Sequence, residues 1–287
     1  LYYPIIKSYT EEEFGGHFET EPDYKGYFMS EKISEQNNWA IFPLNPHSYQ
    51  SINLNKSTPN PASPSTTNYL GTDDRGRDVL ARLLYGFRLS VIFALALTII
   101  GIIIGIFFGA IQGYFAGRTD LYLQRFIEIW GSMPELYLLI IFSSLFEPSI
   151  GLLIILLSLF GWMSLSDYVR AEFLKGRNMD YVIAARTLGL SDTKIILKHI
   201  LPNSMVSIIT FLPFRISGAI LILTSLDFLG LGVPPDTPSL GELLSQGKEN
   251  IEAWWLSLST FLVLVGTLML LIFIGEGFRE SLDTRLK

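Results

Sequence analysis

Cysteine is absent from the 287 residues, so disulfides, thiolate zinc sites and a thiol nucleophile are all excluded. No Gly-x4-Gly-Lys-Ser/Thr run occurs either, and the chain therefore has no phosphate-binding loop of its own. An excess of positive charge is lacking: 21 Lys and Arg stand against 27 Asp and Glu, a balance that gives no sign of nucleic-acid binding. Only three histidines are present, and His17, His47 and His199 are scattered without metal-ligand spacing. No catalytic constellation or metal site can be assembled from such residues. A secretory leader is lacking too, since Leu1-Tyr2-Tyr3-Pro4 has no basic stretch and no initiating methionine. We expect a further N-terminal piece ahead of Leu1.

What the chain has in quantity is apolar sequence, and it is unevenly spread. About half the residues are hydrophobic, yet the first 70 or so are polar. Five later segments are long and charge-poor enough to cross a bilayer, which takes roughly 20 helical residues. They run over about 89–111, 121–145, 150–168, 203–226 and 254–274. The expected fold is an all-α membrane protein, a polytopic helical bundle with a polar extracytoplasmic segment. In the first span Gly101, Gly105 and Gly109 recur at every fourth position, a small-residue stripe that lets another helix approach closely. The second is interrupted at Met133-Pro134-Glu135.

Orientation follows from the basic residues of short loops. The 112–120 and 169–202 connections hold Arg118, Arg170, Lys175, Arg177, Arg186, Lys194 and Lys198, whereas the 146–149 loop has none and 227–253 only Lys248. The 169–202 loop and the C-terminus are therefore expected on the cytoplasmic side of the inner membrane, and residues 1–88 outside. Arg75, Arg77, Arg82 and Arg88 run against this scheme. Five spans with a cytoplasmic C-terminus call for delivery of the N-terminal segment by a signal or by a sixth helix.

Three regions follow. Residues 1–68 form an extracytoplasmic segment, with aromatics enough for a small lobe (Tyr24, Tyr27, Phe28, Trp39, Phe42) and a Pro/Ser/Thr/Asn-rich linker from Ser57. Residues 69–88 read as an amphipathic elbow helix lying at the membrane surface, capped by Thr72 or Asp73, with Asp78 paired to Arg82 four residues on. Residues 89–287 form the membrane domain.

Between the third and fourth spans lies a polar interlude, AARTLGLSDTKIILKHILPN at 184–203. Asp180 is expected to cap a first short helix, Gly189 to stop it in a left-handed conformation, and Ser191 to cap a second helix ending at Pro202. The small face of Ala184 and Ala185 would let another protein's surface come close. The spacing also suits a DNA-binding helix-turn-helix. That reading leaves no room for DNA, because the second helix leads almost directly into a span.

The interlude resembles the coupling-loop motif of ABC importer permeases, in which Glu-Ala-Ala, then Gly, then Leu-Pro recur. Ala184-Ala185, Gly189 and Leu201-Pro202 fall in register, while Ile183 stands where the glutamate is usual. LGTDDRGRDVLARLLYGFRLS, DFLGLGVPPDTPSLGELL and GEGFRESLDTRLK resemble the dipeptide, oligopeptide and nickel permeases of that family, and residues 1–68 resemble the permease of the microcin C-type peptide importer. The resemblance implies the type I importer permease fold with six spans. It implies ATP-driven alternating access for peptides, with dipeptides or nickel as the alternative cargo. The implied partners are a second, similar permease, two cytoplasmic ATPases that carry ATP and Mg, an extracytoplasmic peptide-binding protein and membrane lipid, but no nucleic acid. The chain itself would be no enzyme and hold no cofactor. Asp180, Ile183, Ala184, Ala185, Gly189, Ser191, Leu201 and Pro202 would form the ATPase-coupling loop, about 173–202. The lip at about 227–253 would fold back as an outer gate or docking surface, with Asp73, Asp74, Arg75, Gly230, Gly232, Pro234 and Pro235 in contact with the binding protein.

Two charges fall midway along spans, Glu135 beside Pro134 and Arg215 two residues after Pro213. A charge at that depth costs several kcal/mol unless paired or hydrated. They either form an ion pair between spans, the favoured expectation, or line the translocation pathway. Asp167, Glu128 and Asp227, near span ends, are expected to snorkel or cap. A secondary transporter would account for the spans and these charges, but not for the rigid polar interlude, and no internal inverted repeat is visible.

Overall fold

A computed structural model of the chain describes residues 9–14, 45, 47–50, 52, 59–234 and 236–282. The aromatics proposed for an N-terminal lobe, His17, the start of the linker, Pro235, Arg285 and Lys287 lie outside the described residues. Among the described residues no strand forms, only isolated bridges between Ile52 and Arg77 and between Thr72 and Asp78.

The first long helix, α1 (Val79–Phe115), has 37 residues and is about 55 Å long at 1.5 Å per residue. This overrides the expected elbow. Residues 69–78 are turns, and from Val79 the helix continues through the first span without a break. Its cap is Asp78, whose carboxylate accepts from the Ala81 N–H at 2.8 Å, so Thr72 and Asp73 are free for other contacts. Apolar residues at 89–111 continue the helical phase begun by Val79, Leu83 and Gly86, and nothing between them can stop it.

Then follow α2 (Gly117–Gly131) and α3 (Glu135–Leu145), one span bent by 61°. Pro134 is the physical cause: it has no N–H to continue the ladder, and it sits extended as the residue before α3. Helices α4 (Ile150–Gly161) and α5 (Met163–Gly176) together span Ile150–Gly176. The interlude holds α6 (Asp180–Thr187), α7 (Asp192–Ile195) and a π turn at Ile196–Ile200. Helices α8 (Leu201–Thr210) and α9 (Leu212–Phe228) make a second broken span, bent by 51° just before Pro213. Finally come α10 (Leu240–Glu249) in the lip and α11 (Trp254–Leu282). Among the described residues three helices are long and apolar enough to cross a bilayer, and counting each bent pair as one span gives the five expected from hydropathy.

The glycine stripe packs as expected, and it extends by one position. Gly101, Gly105, Gly109 and Gly113 are all buried against α5 and Arg215. A methyl group at Gly109 would fall 2.5 Å from the Ser166 carbonyl oxygen, and one at Gly113 2.4 Å from the Phe173 Cβ. Two apolar cores result. One surrounds Leu83, Phe93, Leu157, Leu223, Leu240 and Leu256. The other lies toward the interlude, around Tyr114, Val169, Phe173, Val182, Ile195 and Ile200. Within a bilayer such cores are held by close side-chain packing rather than by transfer out of water.

Candidate functional site

Three places along the bundle bring functional side chains together, and α1 reaches all of them. At its Phe115 end stands the interlude. Gly189 has φ +78° and stops α6 as expected, while the Leu190 N–H reaches back 3.2 Å to the Ala185 carbonyl. The expected caps differ. Met179 occupies the position before α6, and Asp180 is instead its first helical residue, where its charge favours the helix dipole. Ser191 does precede α7, but its hydroxyl makes no capping bond. The second helix does not end at Pro202. The chain passes through the proline because the π turn lets the Leu201 N–H bond to the Ile196 carbonyl, and Pro202 falls in the first turn of α8, where its missing N–H is harmless. The second helix instead runs on from Asp192 to Thr210 and into the fourth span, so it cannot lie in a DNA groove.

The paired alanines do not share a face. Ala184 is exposed, but Ala185 is 5% exposed and packs with Val182, Ile195 and Ile200. The outward side of the interlude also carries exposed apolar residues, Tyr181, Ile183 (51% exposed) and Leu188 (80% exposed), spread around the helix rather than in one row. Alternation at helical spacing would have separated the two alanines, since neighbours in a helix are about 100° apart. The interlude is held to α1 by the Tyr114 hydroxyl, which bonds the Asp192 carboxylate, with the Arg186 guanidinium 5.3 Å from the Tyr114 ring. Arg170 on α5 grips Asp120 on α2 through two hydrogen bonds.

At mid-depth lies a cavity of about 360 Å³. Leu97, the midpoint of α1, lines it together with Gly131, Met133, Glu135, Phe160, Met163 and others. Glu135 sits there in the first turn of α3. The favoured ion pair with Arg215 is not formed. The Arg215 guanidinium donates to the Gly161 carbonyl at 2.7 Å and the Ser164 hydroxyl at 3.1 Å. Both acceptors lie where α4 passes into α5, and the close approach of glycine-bearing α1 and α5 aims the side chain there. Asp167, by contrast, accepts from Gln124 across on α2, and Glu128 from Arg125 three residues before it.

At the Val79 end the lip folds back over α1. The Ser239–Leu240 backbone runs close above Gly86, where a methyl group would come within 3.2 Å of it. Asp227 does cap: its carboxylate accepts from the Val233 N–H at 2.8 Å and from the Ser239 hydroxyl, closing the loop between α9 and α10. Gly232 is required there, because any Cβ would overlap Asp227. Asp73 is fully buried and accepts from the Arg77 Nε at 2.7 Å and the Arg77 N–H at 2.8 Å. Arg77 also reaches Glu242 on α10 at 3.1 Å. Arg82, fully buried, bonds Glu242 and lies 3.6 Å from Asp73. Burial works against charge on Arg77, but Asp73 and Glu242 outweigh it and raise its pKa above the ordinary guanidinium value. The sequence pairing of Asp78 with Arg82 is thus replaced. Asp78 binds Asn45 and Asn68, and Arg82 turns to α10. Of the expected rim residues, Asp74, Arg75 and Gly230 are exposed, Pro234 is half-buried, and Asp73 and Gly232 are buried. Glu242, Asp227 and Tyr114 escaped sequence reasoning as site residues, because each acts through a partner more than ten residues away or on another element.

A bundle of membrane-crossing helices with two proline-broken spans, a mid-depth cavity and an externally exposed rigid loop is the build of a transport component. The comparisons make the class specific. Residues 101–287 match the family described as binding-protein-dependent transport system inner membrane component, and the chain belongs to it. It is 49% identical over 282 residues to the inner membrane ABC transporter permease protein YejE of Escherichia coli (strain K12), covering 98% of this chain and 82% of that one. It is 46% identical to the peptidoglycan transport system permease protein YejE of Agrobacterium fabrum, covering 98% and 80%. It is 36% identical to the oligopeptide transport system permease protein OppC of Haemophilus influenzae, covering 84% and 77%. The inward-facing MetNI methionine ABC transporter shares the fold, with a TM-score of 0.59 at 15% identity over 71% of this chain and 97% of that one. The chain is therefore an inner-membrane permease component of an ABC importer, of a family that works with an ATP-hydrolysing partner and a substrate-binding protein.

Proposed function

We propose that this permease imports peptides, oligopeptides or microcin C-like cargo, by alternating access driven by ATP hydrolysed on partner subunits. The observation that carries the reading is the interlude: a short helical lever with exposed apolar residues, bonded through Asp192 to the helix that crosses the whole bundle. One of two cytoplasmic ATPases, which hold the ATP and Mg, seats on Tyr181, Ile183, Ala184 and Leu188, and the other on the second permease. Ile183 supplies apolar contact where relatives of the motif carry a glutamate. A push there moves α6 against Tyr114 and so moves α1. A second, similar permease completes the pathway, and this chain contributes no nucleotide site.

The interlude and C-terminus face the cytoplasm, and residues 1–88 face outward. The arginines that run against this orientation are compatible with it, since Arg77 and Arg82 are neutralised by Asp73 and Glu242 and form no free basic patch. Asp74, Arg75, Gly230 and Pro234 form the rim offered to a peptide-binding protein, with Asp73 and Gly232 supporting it from below.

The test is uptake of a labelled peptide into proteoliposomes holding the assembled complex and its binding protein. Uptake that requires ATP is expected. Uptake driven by an ion gradient without the ATPase subunits would replace this reading with secondary transport, and ATP-dependent uptake of nickel but not peptide would replace the cargo.

A further inference from the structure

The mid-depth cavity holds an unusual combination. Its one carboxylate, Glu135, forms no ion pair or hydrogen bond among the described residues. Glu135 stands at the start of an 11-residue helix behind Pro134, and its side chain faces the cavity. The rest of the lining holds no cation: the thioethers of Met133 and Met163 and the ring of Phe160 stand beside the aliphatic Leu97, Leu157 and Ile222. Phe160 is held in place by stacking on Trp130, with ring centroids 5.9 Å apart. Arg215 stands just behind the wall, on the Gly161 carbonyl, and is not itself a lining residue. An unpartnered carboxyl group, two thioethers, a π face and aliphatic walls together suit a compact cation with an apolar body.

We infer that this cavity receives the protonated N-terminal amine of a peptide in transit, with Glu135 as its counter-ion and Phe160 and the two methionines around the first side chain. The inference rests on the peptide-import reading above and assigns a specificity residue within it. The volume supports one end of a peptide as the occupant. About 360 Å³ is at the small end of ligand sites and admits one residue, not a whole oligopeptide. The position supports transit: four spans contribute to the walls, and the site lies level with the midpoint of α1. An unpaired carboxylate at that depth is destabilising by several kcal/mol, and a passing ammonium offsets that cost transiently.

The experiment compares uptake of trialanine and N-acetyl-trialanine by the complete complex in proteoliposomes. The wild type is expected to favour the free amine by about tenfold or more, the order of one charge-assisted contact. Glu135→Gln should abolish the preference by slowing only the free-amine peptide, and Glu135→Asp should retain it. A full preference in Glu135→Gln would overturn the site and leave peptide import standing. Absence of ATP-dependent uptake of either peptide by the wild type would overturn both. A second measurement does not depend on the glutamine variant. Because the chain has no cysteine, Met133→Cys introduces a single thiol beside an intact Glu135. Trialanine should protect it from maleimide and N-acetyl-trialanine should not. Equal protection by the two, or none, would overturn the assignment.

Discussion

Replacing Glu242 by glutamine is the sharpest single test of how the lip is held. In the native protein two guanidinium groups, Arg77 and Arg82, share two carboxylates, Asp73 and Glu242, and Arg82 is fully buried. Glu242→Gln keeps the shape but leaves two cations facing one anion. Removing one partner of a buried ion pair destabilises by about 3–5 kcal/mol, because the other charge stays buried and unpaired. The Glu242 side chain is 20% exposed, so solvent screens part of this and about 2–4 kcal/mol is expected. For a chain of this size that lowers Tm by roughly 5–10 °C. Tryptophan fluorescence during thermal unfolding of the purified complex gives the Tm. Hydrogen exchange gives the location, with amides of 231–249 expected to exchange faster while those of α5 do not. Adding Arg82→Met should recover part of the loss, since the stranded cation goes too. The exposed pair of Arg75 and Asp236, 3.5 Å apart, supplies the contrast, and Arg75→Ala should leave Tm unchanged. A Tm drop below about 1 °C in Glu242→Gln with unaltered exchange would refute the argument that this network clamps the lip.

The two alanines of the interlude should separate in behaviour. Ala184→Arg should leave the loop folded and weaken ATPase binding in a pull-down, whereas Ala185→Arg should melt the loop, seen as protease sensitivity at Arg186 and Lys194. Tyr114→Phe removes one charge-assisted bond, worth about 1.5–3 kcal/mol, and should lower transport per ATP hydrolysed while leaving helical content by circular dichroism intact. Gly113→Val should cost several kcal/mol by forcing α1 and α5 apart, read as loss of folded protein on size exclusion in detergent. Gly117→Val, at a glycine with open space around it, should be milder, limited to the strain of φ +56°.

Much of the architecture is legible without coordinates. Each span is an apolar run, broken only at a few prolines and charges, whose length answers the bilayer, and the glycine stripe in α1 announces a close helix neighbour by its four-residue period. Pro134 and Pro213 announce the two bends, since a proline cannot continue the hydrogen-bond ladder. Gly189 announces its turn because a left-handed backbone excludes most other residues. These are local rules, and they act on residues adjacent in the chain.

What the sequence by itself determined, then, is the set of helices, their breaks and the location of the interlude. Tertiary structure alone decided which polar groups meet. Asp78 and Arg82 have the spacing of a helical pair, yet Glu242, 160 residues away, takes the arginine, because the folded lip brings a second carboxylate to a site already closed to water. Glu135 and Arg215 read as natural partners by depth and charge, yet packing of α1 on α5 turns the guanidinium to the Gly161 carbonyl. The carboxylate is left facing the cavity. Side-chain pairing in a low-dielectric interior is chosen by which groups arrive within about 3 Å of each other, and helix packing, rather than any spacing along the chain, sets that distance.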